Sequence, residues 1–218
     1  MIQLQHIKKS FKEKVLFNDL NLTIPDHSFT AIVGQSGSGK TTLLNLLGCL
    51  DLDYEGSYLL SDGKASQDIS LKKRYFGRPS VRSRLFSFVF QDFNLIEYYS
   101  VKENVMLPLR YRFKKIDRAR VDAILKDLGI ADLAEKRVSL LSGGEKQRVA
   151  LARCLAMDSP VILADEPTGS LDFDNTKIVI EALKDAGKRY QKTIVVVTHN
   201  RDILPEFDQV VNIDEIKG

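Results

Sequence analysis

The octet Gly34-Gln35-Ser36-Gly37-Ser38-Gly39-Lys40-Thr41 constrains this chain more than any other stretch. It has the spacing G-x-x-x-x-G-K-[ST], which carries meaning only where a strand runs into a tight loop that opens a helix. Both flanks meet that condition. Phe29-Thr30-Ala31-Ile32-Val33 is short and apolar, as a buried strand is, and Thr42-Leu43-Leu44-Asn45-Leu46-Leu47 reads as a helix that Gly48 is placed to end. Successive backbone N–H groups in such a loop point inward as a nest for anions, and the helix adds its own free N–H groups and the positive end of its dipole. Glycine lets the backbone approach phosphate oxygens with no Cβ in the way. The octet is therefore expected to bind phosphate, with Lys40 reaching the outer phosphates and the Thr41 hydroxyl ligating Mg²⁺.

The 218 residues suit one domain, or one core with a smaller appended lobe. Hydrophobic residues at 44% and charged residues at 28% are ordinary for a soluble globular protein. A net charge of +3 is too small to argue for nucleic acid. The two cysteines, Cys49 and Cys154, sit in apolar helical contexts and read as inert buried thiols of a reducing compartment. No stretch approaches 18 continuous apolar residues, and Met1-Ile2-Gln3-Leu4-Gln5-His6 lacks the pattern of a signal peptide, so a cytoplasmic protein is expected.

In chain order, residues 2–7 read as a first strand. The alternation of Leu20, Leu22 and Ile24, stopped by Pro25-Asp26, reads as a second, with Phe11 in the loop between them. The Phe11 ring can stack on a nucleotide base or simply fill a loop. Gly56-Ser57-Tyr58-Leu59-Leu60 reads as a strand followed by a turn at Ser61-Asp62-Gly63. Residues 64–84 carry Lys72, Lys73, Arg74, Arg78, Arg82 and Arg84. They read first as a solvated surface, with a partner surface or an anionic lipid face as the sharper alternative. The strand Leu85-Phe86-Ser87-Phe88-Val89-Phe90 ends at Gln91, whose amide can reach a metal or a water, or serve as a surface group.

Residues 101–129 form the candidate helical lobe. Pro108 marks a break. Asp117 caps a helix whose face is Val121, Ile124, Leu125 and Leu128, and Gly129 closes it. Leu141-Ser142-Gly143-Gly144-Glu145 opens another helix with the residues of a capping box, and its glycines suit a helix end that must approach a phosphate closely. Val149, Ala152 and Ala156 form its small apolar face.

Val161-Ile162-Leu163-Ala164 reads as a central parallel strand ending in Asp165-Glu166-Pro167, whose adjacent carboxylates project to opposite sides. One can then face Mg²⁺ and the other a water, although a polar strand end or a helix cap gives the same pattern. Ser170-Leu171-Asp172 precedes a helix bearing Val179, Ala182, Leu183 and Ala186, which Gly187 can end. Thr193-Ile194-Val195-Val196-Val197-Thr198 is another central strand, and His199 follows its C-terminal end. His6 and His27 have no such position and read as structural or solvated. Ligands of open α/β sheets sit outside the carboxyl ends of the strands, where the octet, Gln91, Asp165-Glu166 and His199 all fall.

These elements together resemble the ATPase subunit of an ABC transporter over essentially the whole chain. Gly34, Gln35, Ser36, Gly37, Ser38, Gly39, Lys40 and Thr41 look like Walker A, and Val161 through Glu166 like Walker B with its following glutamate. Leu141-Ser142-Gly143-Gly144-Glu145 matches the signature sequence, Gln91 the Q-loop, Ser170-Leu171-Asp172 the D-loop and His199 the switch histidine. Gly48-Cys49-Leu50-Asp51, Phe88-Val89-Phe90-Gln91-Asp92-Phe93-Asn94-Leu95 and Asp165-Glu166-Pro167-Thr168-Gly169 are similar to the macrolide-exporter, lipoprotein-release and bacitracin-resistance branch. Phe11 stands where the family usually has tyrosine, Thr41 replaces the commoner serine, and residues 64–84 do not follow the branch closely.

The resemblance implies an α/β fold with a mostly parallel sheet, an N-terminal antiparallel β-subdomain and a small α-helical subdomain. The core would be residues 1–91 and 158–218, and the helical subdomain residues 92–157. It implies ATP and Mg²⁺ as cofactors. Gly34 through Thr42, with Phe11, would bind nucleotide in one subunit, and Ser142, Gly143 and Gly144 would bind it from the other. Thr41, Gln91 and Asp165 would hold the metal, Glu166 would activate water, and Lys40 and His199 would stabilise charge. It also implies a head-to-tail homodimer on the inner face of the cell membrane, an integral membrane permease as partner, and no nucleic acid. Two-ATPase ribosomal factors and coiled-coil chromosome ATPases fit poorly, because one phosphate loop is present and heptads are missing. A regulator that drives a permease-like partner to activate a cell-wall hydrolase is the alternative to export.

Overall fold

Alternation along the strands sets the layering. In the computed structural model, which describes residues 1–12, 14–61, 66–112 and 116–218, five strands form one wholly parallel sheet and four an antiparallel one. The order along the chain is β1 (Ile2–Phe11), β2 (Lys14–Ile24), β3 (Phe29–Val33), α1 (Lys40–Leu47), β4 (Glu55–Ser61), β5 (Ser66–Asp68), α2 (Lys73–Phe76), α3 (Pro79–Leu85), β6 (Phe86–Phe90), α4 (Val101–Arg112), α5 (Arg118–Asp127), α6 (Gly143–Ala156), β7 (Val161–Asp165), α7 (Phe173–Arg189), β8 (Thr193–Val197), β9 (Gln209–Asn212) and α8 (Ile213–Ile216). The parallel sheet runs β6-β7-β8-β3-β9 and the antiparallel sheet β2-β1-β4-β5.

Both faces of the parallel sheet are covered, so its strands are apolar without a break, as buried parallel strands are. On one face Ile162, Ala164, Ile194 and Val196 pack with α4, α5, α6 and α7. On the other, Val161, Leu163, Val195 and Val197 pack with α1 and the antiparallel sheet. The helices α4 to α6 thus share a core with the sheet. Asp117 caps α5 through the Arg120 amide at 3.0 Å, and Val121, Ile124, Leu125 and Leu128 are buried along it.

Four expectations are corrected. Phe11 ends β1 rather than lying in a loop, because pairing continues to Phe11↔Lys14 across irregular register. Pro108 does not break its helix: α4 runs through it, held by buried Val105, Met106 and Leu109, which outweigh the missing N–H. Gly187 does not end α7, which continues to Arg189. A Cβ on Gly187 would lie 3.1 Å from Ile194 Cδ1, so the glycine serves close helix–sheet approach. The described part of 64–84 is not merely solvated: β5 pairs with β4, and Ile69 and Phe76 are buried. Asp62 and Gly63 of the expected turn, residues 64–65 of the basic segment and 113–115 of the expected helical lobe lie outside the described residues. Cys49 and Cys154 are buried and free, and burial pushes both thiols up to about 12. Among the described residues no helix is long and apolar enough to cross a membrane.

The seat of α1 on the sheet fixes where the phosphate loop sits. Gly48, its cap, has an ordinary φ of −83°, yet a Cβ there would meet Phe88 Cζ at 2.2 Å and Leu163 Cδ1 at 2.8 Å. Gly48→Ala therefore overpacks β6 and β7 and is expected to cost about 1–3 kcal/mol. The urea midpoint should fall with an unchanged slope; an undisturbed midpoint would show that α1 has room to lift from the sheet.

Candidate functional site

The register of the parallel sheet brings distant residues to one level. Phe90 pairs with Asp165, Asp165 with Val197, and Val197 with Ile32. The residues that follow, Gln91, Glu166, Thr198-His199 and the glycine-rich loop, therefore leave the sheet along one edge. The ladder continues briefly beyond the strands, with the Glu166 amide donating to the Val197 carbonyl at 3.0 Å and the Thr198 amide to the Ile32 carbonyl at 3.1 Å.

The loop is built from three sides. Gly39 has φ +101°, and a Cβ there would also meet Phe17 and Leu16 of β2 at 2.9–3.0 Å. A side chain at this position is excluded by backbone and packing together. Gly34 lies against Ile213 and Asp214 of α8. Asp214 accepts the Gln35 amide at 2.8 Å, and that bond and its pairing with Lys217 hold its carboxyl below the usual range, Lys217 first. Lys40 folds back over the loop, donating to the carbonyls of Gly34 at 3.0 Å and Gln35 at 2.8 Å. The Ser38 hydroxyl is buried with no hydrogen-bond partner.

Beside the loop opens a cleft of about 410 Å³, lined by Phe11, Lys14, Leu16, Ser36, Gly37, Gly39, Lys40, Thr41, Thr42, Asp165, Glu166 and Val197. Asp165 accepts a hydrogen bond from the Thr41 side chain, and burial raises its carboxyl above the ordinary range, with Glu166 adding to the rise. Glu166 sits at φ +47°, a left-handed backbone that a glutamate adopts only under restraint. Its carboxylate meets His199 Nδ1 at 2.9 Å. A second cleft of about 280 Å³ on the other flank of the loop is lined by Gly34, Gln35, His199, Arg201 and Asp214 among others.

Among the expected site residues, the large cleft gathers Phe11, Ser36, Gly37, Gly39, Lys40, Thr41, Thr42, Asp165 and Glu166, while Gly34, Gln35 and His199 line its neighbour. Gln91 lines neither; its amide lies against Gly169, where a Cβ would be 3.2 Å from Gln91 Nε2. Ser142, Gly143 and Gly144 also line neither cleft. The capping box at Ser142 and Glu145 is present and draws the Glu145 carboxyl down, chiefly through the Ser142 amide. The two glycines have a local packing reason as well: a Cβ on Gly143 would lie 2.8 Å from Leu171 Cδ2, and one on Gly144 2.7 Å from Asn175 Oδ1. His6 meets Asp19 and His27 the Gln191 carbonyl, away from the site. Sequence reasoning missed Lys14, Leu16 and Asp214. Asp214 lies 179 residues from Gln35, and no local pattern announces it.

A parallel sheet that delivers a glycine-rich loop, a lysine and paired carboxylates to one edge defines the P-loop nucleotide-binding proteins. Within that class, a family model described as ABC transporter matches residues 17–169. The chain belongs to the ABC transporter family. It is 41% identical over 221 residues to a macrolide export ATP-binding/permease protein MacB of Campylobacter fetus, covering 99% of this chain and 34% of that protein. Against the ABC transporter ATP-binding protein MJ0796 of Methanocaldococcus jannaschii the identity is 37%, over 99% of this chain and 94% of that one. This chain thus spans about a third of the MacB protein and nearly all of MJ0796. A solved dimeric structure of MJ0796 in a post-hydrolysis state, bound to ADP and Pi, superposes with TM-score 0.78 at 33% identity, over 97% of this chain and 94% of that one.

The half-buried Asp165 carboxyl makes a pH prediction. The folded protein holds this proton more tightly than the unfolded chain, whose value is 3.8. Its contribution to stability therefore falls as pH rises from about 4 through the raised folded value, and the penalty persists at neutrality. Asp165→Asn is expected to raise the melting temperature at pH 7 by about 2–4 °C per kcal/mol relieved. The gain should shrink as pH falls through the raised folded value and be lost well below 3.8, where both states are protonated. Thermal scans across pH check this; a variant less stable than the parent at pH 7 would contradict it.

Proposed function

We propose that this chain is the ATP-hydrolysing subunit of an ABC transporter, working as a head-to-tail pair on the inner face of the cell membrane and driving an integral permease. The reading also includes export or resistance involving peptides, drugs or lipoproteins. The observation that carries it is the Glu166–His199 pair at 2.9 Å, set at the same strand-end level as the Lys40 loop and Asp165. The MacB relative is named for macrolide export and the MJ0796 relative has a solved dimeric structure, which supports the export and pairing parts. Nothing observed favours the alternative of a cell-wall hydrolase regulator.

The loop amides and Lys40 hold the β- and γ-phosphates of ATP, and Phe11, half exposed at the mouth of the cleft, stacks on the base. The residues present fit Mg²⁺: the Thr41 hydroxyl and the Asp165 carboxylate are hard oxygen donors already in contact, and this ion keeps waters and phosphate oxygens for its other positions. Gln91 would join that shell by moving from its place against Gly169. Mg²⁺, when bound, would supply charge neutralisation to the phosphates held by the loop. Glu166 orients the attacking water and takes its proton. His199, tied to Glu166 through Nδ1, orients that carboxylate and stabilises charge on the terminal phosphate from its other nitrogen. No covalent intermediate is required, because phosphoryl transfer depends mostly on positioning and electrostatics.

One copy holds half of each site. Ser142, Gly143 and Gly144 line neither cleft beside the chain's own loop, and they complete the γ-phosphate site of a twin. Residues 1–91 and 158–218 act as the core and 92–157 as the helical subdomain. Driving an open pair to closed, from about 1:99 to 99:1, takes about 5.5 kcal/mol of differential binding, which two shared nucleotides supply and hydrolysis withdraws.

Glu166→Gln is expected to keep ATP binding, lower turnover by about 10²–10⁴, and accumulate a dimer seen by light scattering. Turnover at the parent rate in that variant overturns the base assignment. Ser142→Arg should keep ATP binding in the monomer and lose turnover; normal hydrolysis there argues against completion by a twin.

A further inference from the structure

The basic stretch that departs from the family branch takes no part in the nucleotide site. From Ile69 to Gln91 the chain carries Lys72, Lys73, Arg74, Arg78, Arg82 and Arg84 and no Asp or Glu. A second stretch without a carboxylate, residues 104–112, adds Arg110 and Arg112. The fold joins the two: Arg112 Nη1 donates to the Ser83 carbonyl at 2.7 Å, and Arg84 and Tyr111 line one groove. Against a net charge of +3 for the whole chain, these eight cations leave the remainder at −5, so positive charge is gathered where α3 meets the end of α4.

The cations divide into two groups. Three grip the backbone and build the surface: Lys73 donates to the Tyr54 carbonyl, Arg82 to that of Gly77 at 3.2 Å, and Arg112 to those of Ser83 and Met157. Buried Ile69 and Phe76 anchor the same segment. Lys72, Arg74, Arg78, Arg84 and Arg110 are exposed, and among the described residues none of them is paired with a carboxylate. Apolar and aromatic side chains stand among them. Leu71 is 82% exposed and Tyr111 88%, and the Arg78 guanidinium lies 6.0 Å from the exposed Tyr75 ring. One leucine in water is ordinary. A leucine and two tyrosines set among uncommitted cations have the composition of a membrane-surface segment, in which cations meet lipid phosphates, tyrosines sit at headgroup level and the aliphatic side chain reaches the acyl boundary. Charge complementarity calls for an anionic partner, and Leu71 calls for one with an apolar layer behind its charges, as a bilayer has.

We propose that this face, Leu71 to Arg84 with Arg110 and Tyr111, docks directly on the surface of an anionic phospholipid bilayer, so that the chain holds the membrane by contacts of its own besides those to a permease. The inference rests on the proposed reading of the chain as a subunit at the inner face of the cell membrane. Each Lys or Arg close to such a surface contributes about fivefold to partitioning. The attraction is screened beyond about 8 Å at physiological salt, so only cations held close to the lipid contribute.

The test sediments the purified chain with vesicles of phosphatidylcholine alone or mixed equally with phosphatidylglycerol. Binding is expected to the mixed vesicles only, and to weaken as salt rises. Lys72→Gln, Arg74→Gln and Arg78→Gln combined should lower it about 10²-fold, with ATP turnover unchanged. Lys126→Gln, Lys177→Gln and Lys188→Gln combined, the same charge change made elsewhere, should leave binding close to that of the parent. The chain has no Trp, so Tyr111→Trp gives a single reporter. Its emission is expected to shift to the blue on mixed vesicles and to be quenched by brominated acyl chains. An equal loss in the two triple variants, or a reporter that stays in water while vesicles bind, overturns the docking face. Polyglutamate or single-stranded RNA bound more tightly than the mixed vesicles, with the same loss in the first triple variant, gives the face to an acidic protein segment or a nucleic acid and overturns the lipid assignment. A chain that pairs and hydrolyses ATP yet ignores mixed vesicles overturns this inference alone. One that binds the vesicles as expected but never hydrolyses ATP overturns the transporter reading and leaves the lipid contact standing.

Discussion

The site depends on the in-line register of β6, β7, β8 and β3, because that register decides which side chains leave the sheet together. Its reach extends past the strands: the Glu166 amide is held by the Val197 carbonyl, and the Glu166 carbonyl in turn accepts the Gly169 amide at 3.1 Å. With both backbone groups of Glu166 satisfied, the left-handed conformation at φ +47° is stable despite its local cost. That conformation re-aims the carboxylate away from Asp165 and toward His199. Two adjacent carboxylates thereby acquire different surroundings, one half-buried beside Thr41 and Lys40, the other paired with an imidazole.

The phosphate loop is preorganised by groups outside its own motif. Phe17 and Leu16 wall off the Gly39 Cβ position, Ile213 and Asp214 wall off that of Gly34, and Asp214 takes the Gln35 amide. The antiparallel sheet and the C-terminal helix are therefore part of the binding apparatus, although they contribute little to its recognisable sequence. Lys40, meanwhile, spends its donors on two loop carbonyls, which keeps a cationic head close to where phosphate oxygens arrive.

The helix α6 shows one sequence serving two ends. Its glycines allow contact with Leu171 and Asn175, so these small residues let it pack tightly on the start of α7. Its capping box satisfies the first free amides, and its inner face, Val149, Ala152 and Ala156, is small enough for close packing in the shared helical core.

Local chemistry made much of this legible. A glycine-rich octet between an apolar run and a helix, the capping pattern at Ser142 and Glu145, and carboxylates or a histidine at strand ends all act within a few residues, so sequence by itself determined the phosphate loop, the central strands and the residues that the strand ends bring to the two clefts, while Gln91 and Ser142 to Gly144 line neither. Where the outcome turned on contacts across long separations, sequence was silent or misleading. Pro108 and Gly187 sit inside helices because distant side chains bury those helices, and Phe11 extends a strand because β2 pairs with it. The Asp214 clamp on Gln35, the Glu166–His199 pairing and the Arg112 bridge from α4 to α3 were decided only by tertiary structure. Each joins groups far apart in the chain, and their meeting is set by register and packing density rather than by any local preference of the residues involved.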